Sequence, residues 1–341
     1  RSFGSYLFAY RAFSKGTLTM RLGINGLGRI GRLVLRVAVE KGVNIAAVND
    51  RNDLAQLLPL IKRDSIYGPF SAGMDGDDLM VAGRNVPVFR NQPFPDWGAL
   101  GADIVLECSG GNPDGSRARE HLKAGAKAVI ISAPAPNVDA TLIIGINEAD
   151  YDPGKHRVVS MASCTANCLA PVLKQLQGLC GVKCCEVTSV NAYTNAQRIV
   201  DAPHADPRRA RAAAINIIPT LSSAIPSVKA ILGISQITGL AYRVPVACGS
   251  VCDITVQPVK GVTAQEVNEA LPMPGIVAVS MEPLVSTDVI GNPHSAVVDG
   301  LLTYVEGDRV RLVVWYDNEY GFCNRLIDLA SYMATHDGYC R

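Results

Sequence analysis

The sequence predicts an α/β protein whose first half is built on a parallel sheet, and three observations predict it. Apolar runs of strand length alternate with segments of helical period from Met20 onward. The first such run leads straight into Gly26-x-Gly28-x-x-Gly31 and then into a helical pattern. The second ends on an acid, Asp50. Apolar residues make up 48% of the 341 and charged ones 18%, a balance that favours a large core over disorder and allows two domains.

Taken in order, residues 20–26 read as a strand entering glycines. Residues 27–42 read as a helix: Ile30, Leu33, Val34, Val37 and Ala38 share one face, and Gly42 is its stop. Residues 43–50 are a second buried strand. The three glycines have separate tasks. Gly26 makes the tight turn, Gly28 lets backbone approach a pyrophosphate, and Gly31 lets helix and strand pack closely. The pyrophosphate would rest on the free N–H groups at the helix start, around Arg29 and Ile30. Asp50 would bond ribose hydroxyls and repel a 2′-phosphate, which favours NAD over NADP; the neighbouring Arg51 weakens that preference. Further strands are expected at 102–111 and 127–135. Ligands of an open parallel sheet lie at the carboxyl ends of strands, so Ser109, Gly110 and Ser132 are expected at the crevice.

Residues 158–163 read as a strand and turn, and 164–179 as a helix with Cys168, Leu169, Val172, Leu173, Leu176 and Leu179 at helical spacing. Ser163 is the expected N-cap, and Pro171 should bend the helix or fix its first turns. Cys164 is thereby placed at a helix N-terminus, where the dipole and free amides favour thiolate and could hold an oxyanion. Cys168, one turn on, is expected to pack.

Composition excludes several classes. A net charge of +1 gives no field toward nucleic acid or membrane. No apolar run reaches the ~18 residues of a membrane span. Ten cysteines in these spacings make neither a disulfide framework nor a zinc signature, and no metal is expected. The basic run 206–214 is expected to be a helical patch meeting a neighbouring subunit. Residues 1–19 contain no acid; they are read as an extension outside the fold, with an organellar presequence as the alternative.

Together "INGLGRIGRLV", "ISAPA", "SCTANCLAPV", "DAPHADPRRARAAAINIIP", "RVP", "IGNPHSAVVDG" and "WYDNEYGFCNR" resemble the phosphorylating glyceraldehyde-3-phosphate dehydrogenases, from Met20 to about Met333. The erythrose-4-phosphate dehydrogenases are close relatives: "AYTNAQ" is more similar to the glyceraldehyde-phosphate branch, while "NPHSAVVDG" leans toward the erythrose-phosphate one. The resemblance implies a cofactor domain over 20–163 and 318–341 and an α+β catalytic domain over 164–317 with a mostly antiparallel sheet. It implies Cys164 as nucleophile and Asn318 as partner of the nicotinamide carboxamide. It places Thr194 and Arg243 at the substrate phosphate, and Ser163, Thr165, Ser222 and Ser223 at the inorganic-phosphate site. It also implies a homotetramer whose partners are NAD, an aldehyde phosphate and inorganic phosphate, in the cytoplasm, or in an organelle if 1–19 is a presequence.

One departure stands out. Asn191 occupies the position of the family's histidine, and an amide cannot accept and return a proton near neutral pH. None of the five histidines, His121, His156, His204, His294 and His336, looks recruited in its place. Ser222 and Ser223 replace a threonine–glycine pair, and Ser223 would crowd a backbone donor if that glycine needed positive φ. Ala166, Ala196 and Val246 are milder changes. The expected function is NAD-dependent phosphorylating oxidation of glyceraldehyde 3-phosphate through a Cys164 thioester, slowed by Asn191. The alternatives are a non-catalytic NAD-binding homologue and an erythrose-4-phosphate dehydrogenase.

Overall fold

The computed structural model describes residues 20–111 and 113–339. The extension expected at 1–19 lies outside the described residues. Two compact units divide the chain: Arg1–Ala162 with Cys323–Arg341, and Ser163–Phe322.

The first unit carries strands β1 (Arg21–Asn25), β2 (Asn44–Asp50), β3 (Val88–Arg90), β4 (Ile104–Glu107), β5 (Ala128–Ile131), β6 (Ala140–Thr141) and β7 (Val158–Ser160). Their order in the sheet is β6-β7-β5-β4-β1-β2-β3, and every pair is parallel. Leu22, Ile24, Val48, Ile104, Leu106 and Ile130 are fully buried, as strands covered on both faces require. The order reverses between β1 and β4, which opens a crevice at their carboxyl ends.

Helix α1 (Arg29–Glu40) buries Leu33, Val34, Val37 and Ala38, and Ile30 is half-buried. It stops at Gly42, which takes φ +70°, while Val43 N–H donates to the Ala38 carbonyl at 2.8 Å. β4 and β5 are shorter than the 102–111 and 127–135 expected. The chain leaves β4 because the Glu107 carboxylate captures Ser109 N–H at 2.8 Å, a local bond that replaces the ladder.

The second unit carries β8 (Val182–Ala192), β9 (Ile218–Leu221), β10 (Ile237–Val244), β11 (Ser250–Pro258), β12 (Val277–Ser280), β13 (Ala296–Asp299) and β14 (Arg309–Tyr316). The order is β9-β10-β8-β11-β14-β13-β12, with Tyr304–Glu306 pairing to β14. β8/β10 and β12/β13 run parallel and the other pairs antiparallel. Helix α2 (Cys164–Leu179) is buried from Thr165 to Leu173 and continues through Pro171. Helix α3 (Ala224–Leu232) ends at Gly233, φ +68°.

The basic run 206–214 is not helical. Its backbone pairs across the loop instead: Arg198 N–H to Arg209, Ala202 N–H to Ala210 and Ala213 N–H to Arg198. Pro207 has no N–H to give a helix, and these cross-loop bonds leave no room for an i−4 ladder.

The last helix is α4 (Tyr320–His336). Leu326, Ile327, Ala330, Met333 and Ala334 are its buried stripe. Within the first unit Lys41 Nζ bonds Asp328 Oδ1 at 2.7 Å.

Candidate active site

In the first unit the predicted glycines are held by geometry. Gly26 has φ +93°, and a Cβ there would stand 2.4 Å from Ser109 Cα. A Cβ on Gly31 would stand 1.8 Å from the Gly26 carbonyl oxygen. A Cβ on Gly28 would meet nothing within 4 Å. Helix α1 thus begins over open space, and its N-cap Gly28 offers no side-chain bond to the first amides. A diphosphate fits there for the reasons that made the glycine pattern informative: a helix start, its dipole and room.

Asp50 holds this turn. Its Oδ2 accepts from Leu27 N–H at 2.7 Å, and its Oδ1 from Asn52 N–H at 2.9 Å. Arg29 does not face the crevice as a free cation; it pairs with Asp64 at 2.5 Å and lies over the Tyr67 ring. The Ile30 carbonyl accepts from Cys323 Sγ at 3.7 Å.

Ser109 and Ser132 share an anchor that the sequence did not reveal. Glu107 is buried at the end of β4, and its Oε1 accepts from Ser109 N–H at 2.8 Å and Ser109 Oγ at 2.5 Å. Its Oε2 accepts from Asn25 Nδ2 at 2.6 Å and meets His121 Nε2 at 3.0 Å. Trp97 Nε1 donates to His121 Nδ1 at 2.9 Å. An indole N–H only donates, so His121 Nδ1 accepts and Nε2 carries the proton toward Glu107. Ser132 N–H and Oγ both donate to the Glu107 carbonyl, at 3.1 and 2.9 Å, and Gly110 takes φ +70°. The available signal was an acid closing an otherwise apolar strand.

In the second unit Ser163 caps α2: its Oγ accepts from Ala166 N–H at 3.1 Å. Ala162, before it, is held at φ +57°, a strained conformation for a residue with a side chain, and its N–H donates to Ser160 Oγ. Ser163→Ala should cost about 1 kcal/mol of stability through the lost cap, read as a lower urea midpoint.

Cys164 opens α2, as expected, and is half-buried. The expectation of a favoured thiolate is corrected. Burial pushes the thiol pKa above its ordinary value; Arg243 and the bonds offered by Thr165 pull it down by less. Desolvation penalises the charged form more than the helix start rewards it. Cys168 is fully buried and packs.

Asn191 and Arg243 are register partners on β8 and β10. Arg243 donates to the Ala192 carbonyl at 2.9 Å, and its Nε is buried with no partner among the described residues. A buried guanidinium N–H without an acceptor fits an anion. Asn191 is fully engaged elsewhere: Nδ2 donates to the Ser189 carbonyl and Oγ, both at 3.1 Å, and Oδ1 accepts from Tyr316 at 2.8 Å. It makes no hydrogen bond to Cys164.

Thr165 Oγ1 lies 2.9 Å from the Tyr316 hydroxyl, so Cys164, Thr165, Asn191 and Tyr316 form one cluster. Tyr316 was not singled out in the sequence, where it reads as one more apolar position of a strand.

The remaining predicted residues are not joined to this cluster by hydrogen bonds. Thr194 is exposed, and its N–H and Oγ1 donate to Gln197 Oε1. Ser222 and Ser223 precede α3. Ser223 takes φ −73°, so the crowding foreseen for a positive-φ site does not arise, and it makes no side-chain cap. Asn318 Oδ1 accepts from Gly249 N–H at 3.1 Å and Ser250 Oγ at 3.2 Å, which leaves its amide N–H groups for a ligand carbonyl.

No histidine bonds Cys164. His204 and His294 in this unit use Nδ1 on Asp206 N–H and Asn292 Oδ1. Among the described residues no cluster could hold a metal, and no helix is long and apolar enough to cross a membrane.

Comparison with known proteins agrees with both units. Residues 20–114 match the family profile "Glyceraldehyde 3-phosphate dehydrogenase, NAD binding domain", and 163–318 match the profile for its C-terminal domain. The chain is 44% identical over 332 residues to glyceraldehyde-3-phosphate dehydrogenase 2 of Streptomyces arenae, covering 93% of this chain and 99% of that one. It is 45% identical over 331 residues to glyceraldehyde-3-phosphate dehydrogenase 1 of Bacillus subtilis, with the same coverage. The Geobacillus stearothermophilus enzyme gives 44% over 333 residues, again 93% and 99%. The chain belongs to the glyceraldehyde-3-phosphate dehydrogenase family and carries that family's NAD-binding domain.

Proposed function

We infer that this chain is an NAD-dependent dehydrogenase that oxidises glyceraldehyde 3-phosphate to the acyl phosphate, slowly. The observation that carries the reading is Cys164 at a capped helix start, its thiolate favoured by the charge of Arg243, whose buried Nε has no acceptor among the described residues. The Cys164 sulfur adds to the aldehyde carbon and gives a hemithioacetal. Passing the C1 hydride to the nicotinamide and the hydroxyl proton to water, since Asn191 cannot take it, leaves a thioester on Cys164. An oxygen of inorganic phosphate then attacks that carbon, the thiol leaves, and 1,3-bisphosphoglycerate forms. Bound NAD supplies the hydride acceptor. Helix α1 and Asp50 would hold its diphosphate and ribose, and Asn318 its carboxamide. Arg243 and Thr194 would hold the substrate phosphate. Ser163, Thr165, Ser222 and Ser223 would serve the inorganic phosphate.

Acid–base work is the weak point of this site. Asn191 accepts from Tyr316 and donates to Ser189, and has no basic nitrogen. The thiolate must therefore form by ionisation of a thiol whose burial disfavours it. Below the thiol's raised pKa, NADH formation should climb by about ten-fold per pH unit as thiolate fraction grows, and Cys164→Ser should abolish it. Steady-state rates across pH with glyceraldehyde 3-phosphate, NAD and phosphate test this. A flat profile, or a rate that survives Cys164→Ser, would overturn the reading.

The raised thiol pKa and the engaged Asn191 equally support a second reading, a non-catalytic NAD-binding homologue. It predicts NAD binding with no NADH at any pH. We extend the first reading to a cytoplasmic homotetramer with 20–163 and 318–341 as cofactor domain and 164–317 as catalytic domain. Exposed Ile199, Val200, Ile215 and Ile217 on the loop after β8 support a protein partner there.

A further inference from the structure

Strand β11 opens on Ser250, and the ends of two neighbouring strands meet it there. Ser250 is the register partner of Tyr316, the last residue of β14, and Val251 is that of Val190 near the end of β8. Asn318 lies in the short turn between β14 and α4. Ser250 is 2% exposed and Asn318 8%. Gly249 N–H donates to Asn318 Oδ1 at 3.1 Å, Ala192 N–H donates to Ser250 Oγ at 3.3 Å, and Ser250 Oγ lies 3.2 Å from Asn318 Oδ1. The groups themselves fix the direction of these bonds. A backbone N–H only donates, so the Asn318 atom facing Gly249 is its oxygen and the amide cannot be turned over. That oxygen only accepts, so the Ser250 hydroxyl gives its one proton to it. A Ser250 lone pair is then left for Ala192 N–H. Both Asn318 side-chain bonds end on Oδ1, so Nδ2 keeps its two N–H groups for a ligand. The Gly249 half of this grip is backbone: φ is +85°, and a Cβ there would stand 2.2 Å from the Ser286 carbonyl oxygen. The Ser250 half is a side chain.

We propose that Ser250 is a positioning residue for the cofactor: by donating to Asn318 Oδ1 it holds that side chain with its N–H groups presented to the nicotinamide carboxamide oxygen. The proposal rests on the reading of Asn318 as the carboxamide's partner. The terminal torsion of an asparagine is broad, so one bond from Gly249 leaves the amide plane free to swing about Oδ1. A second donor converging on the same oxygen fixes that plane. Ser250 is itself tied to β8 through Ala192 N–H, so Asn318 is held by the sheet and not only by the turn that carries it. Held so, Asn318 offers donors only, and the ring substituent must bring the acceptor.

The test is calorimetric titration of the full chain with NAD and with ADP-ribose, which lacks the nicotinamide. Ser250→Ala should weaken NAD by about five-fold, the worth of roughly one hydrogen bond, and leave ADP-ribose unmoved. Ser250→Cys keeps the bulk and donates only weakly, so it should move NAD in the same direction. It carries the test alone if Ser250→Ala fails to fold, as judged by circular dichroism. In Asn318→Ala, adding the Ser250 substitution should cost nothing more, because a residue acting through Asn318 has nothing left to hold. A merely structural role, such as satisfying Ala192 N–H, would persist in that background. The proposal is overturned by NAD affinity that the folded Ser250 variant leaves unmoved, by equal loss of NAD and ADP-ribose, or by a loss that persists without Asn318. If Asn318→Ala itself leaves NAD unmoved, the carboxamide reading fails and the proposal with it. If Asn318→Ala weakens NAD and the Ser250 variant does not, the proposal alone fails. Calorimetry reads binding whether or not NADH forms, so the dehydrogenase reading is judged separately.

Discussion

Asn191→His should raise NADH formation from glyceraldehyde 3-phosphate by about 10²- to 10⁴-fold at neutral pH, the contribution of a positioned general base. The amide at this position has no basic nitrogen, and its groups are held by Ser189 and Tyr316. An imidazole can take a proton near pH 7 and return it. The gain should shrink as pH rises, because the wild-type thiol ionises unaided there. The two profiles should converge above the thiol's raised pKa, whose cause is burial of the sulfur. Steady-state rates for both forms across pH check this. If neither form turns over while both bind NAD by calorimetry, the binding-protein reading leads. The other departures, Ser222, Ser223 and Ala196, would then matter more than Asn191.

Gly31→Ala should weaken cofactor binding and destabilise its unit together. The added Cβ would lie 1.8 Å from the Gly26 oxygen and 2.9 Å from its carbonyl carbon, both backbone atoms. Helix α1 would have to withdraw from the turn after β1. Overpacking of this kind costs about 1–3 kcal/mol and sometimes more. Gly28→Ala is the contrasting case. Its φ of −67° suits alanine, and nothing lies within 4 Å, so stability should hold. The methyl would instead fill the space that a diphosphate needs. Losing one or two N–H bonds to a charged group should weaken NAD by roughly 10- to 100-fold. Calorimetric titration with NAD and thermal melts of both variants separate the effects. Equal loss of stability in the two would refute the division of labour among these glycines.

The cofactor unit was largely legible in the sequence because its signals are local. A strand, a glycine turn and a helix lie within 20–42, and each glycine's role follows from its neighbours in the chain. Helix 164–179 and its Ser163 cap were legible for the same reason: capping is decided within four residues. The run 206–214 was misread as helix because its backbone partners, Arg198 and Ala202, sit outside any local window. The charge state of Cys164 was misread because a helix start is visible in sequence and the burial of a sulfur is not.

The sequence by itself determined that Cys164 begins a helix, that Gly26, Gly28 and Gly31 make the tight turn from the first strand into a helix, and that an amide stands at 191. Those are statements about covalent neighbours and residue chemistry. Only the tertiary structure decided what that amide does. β8, β10 and β14 are far apart in sequence, and sheet pairing brings Asn191, Tyr242 and Tyr316 together beside Thr165. Hydrogen-bond direction is a property of the closed set of partners, because each hydroxyl has one proton and each must be placed. The same holds for Glu107, whose role depends on Asn25, Ser109 and His121 converging at the end of one strand.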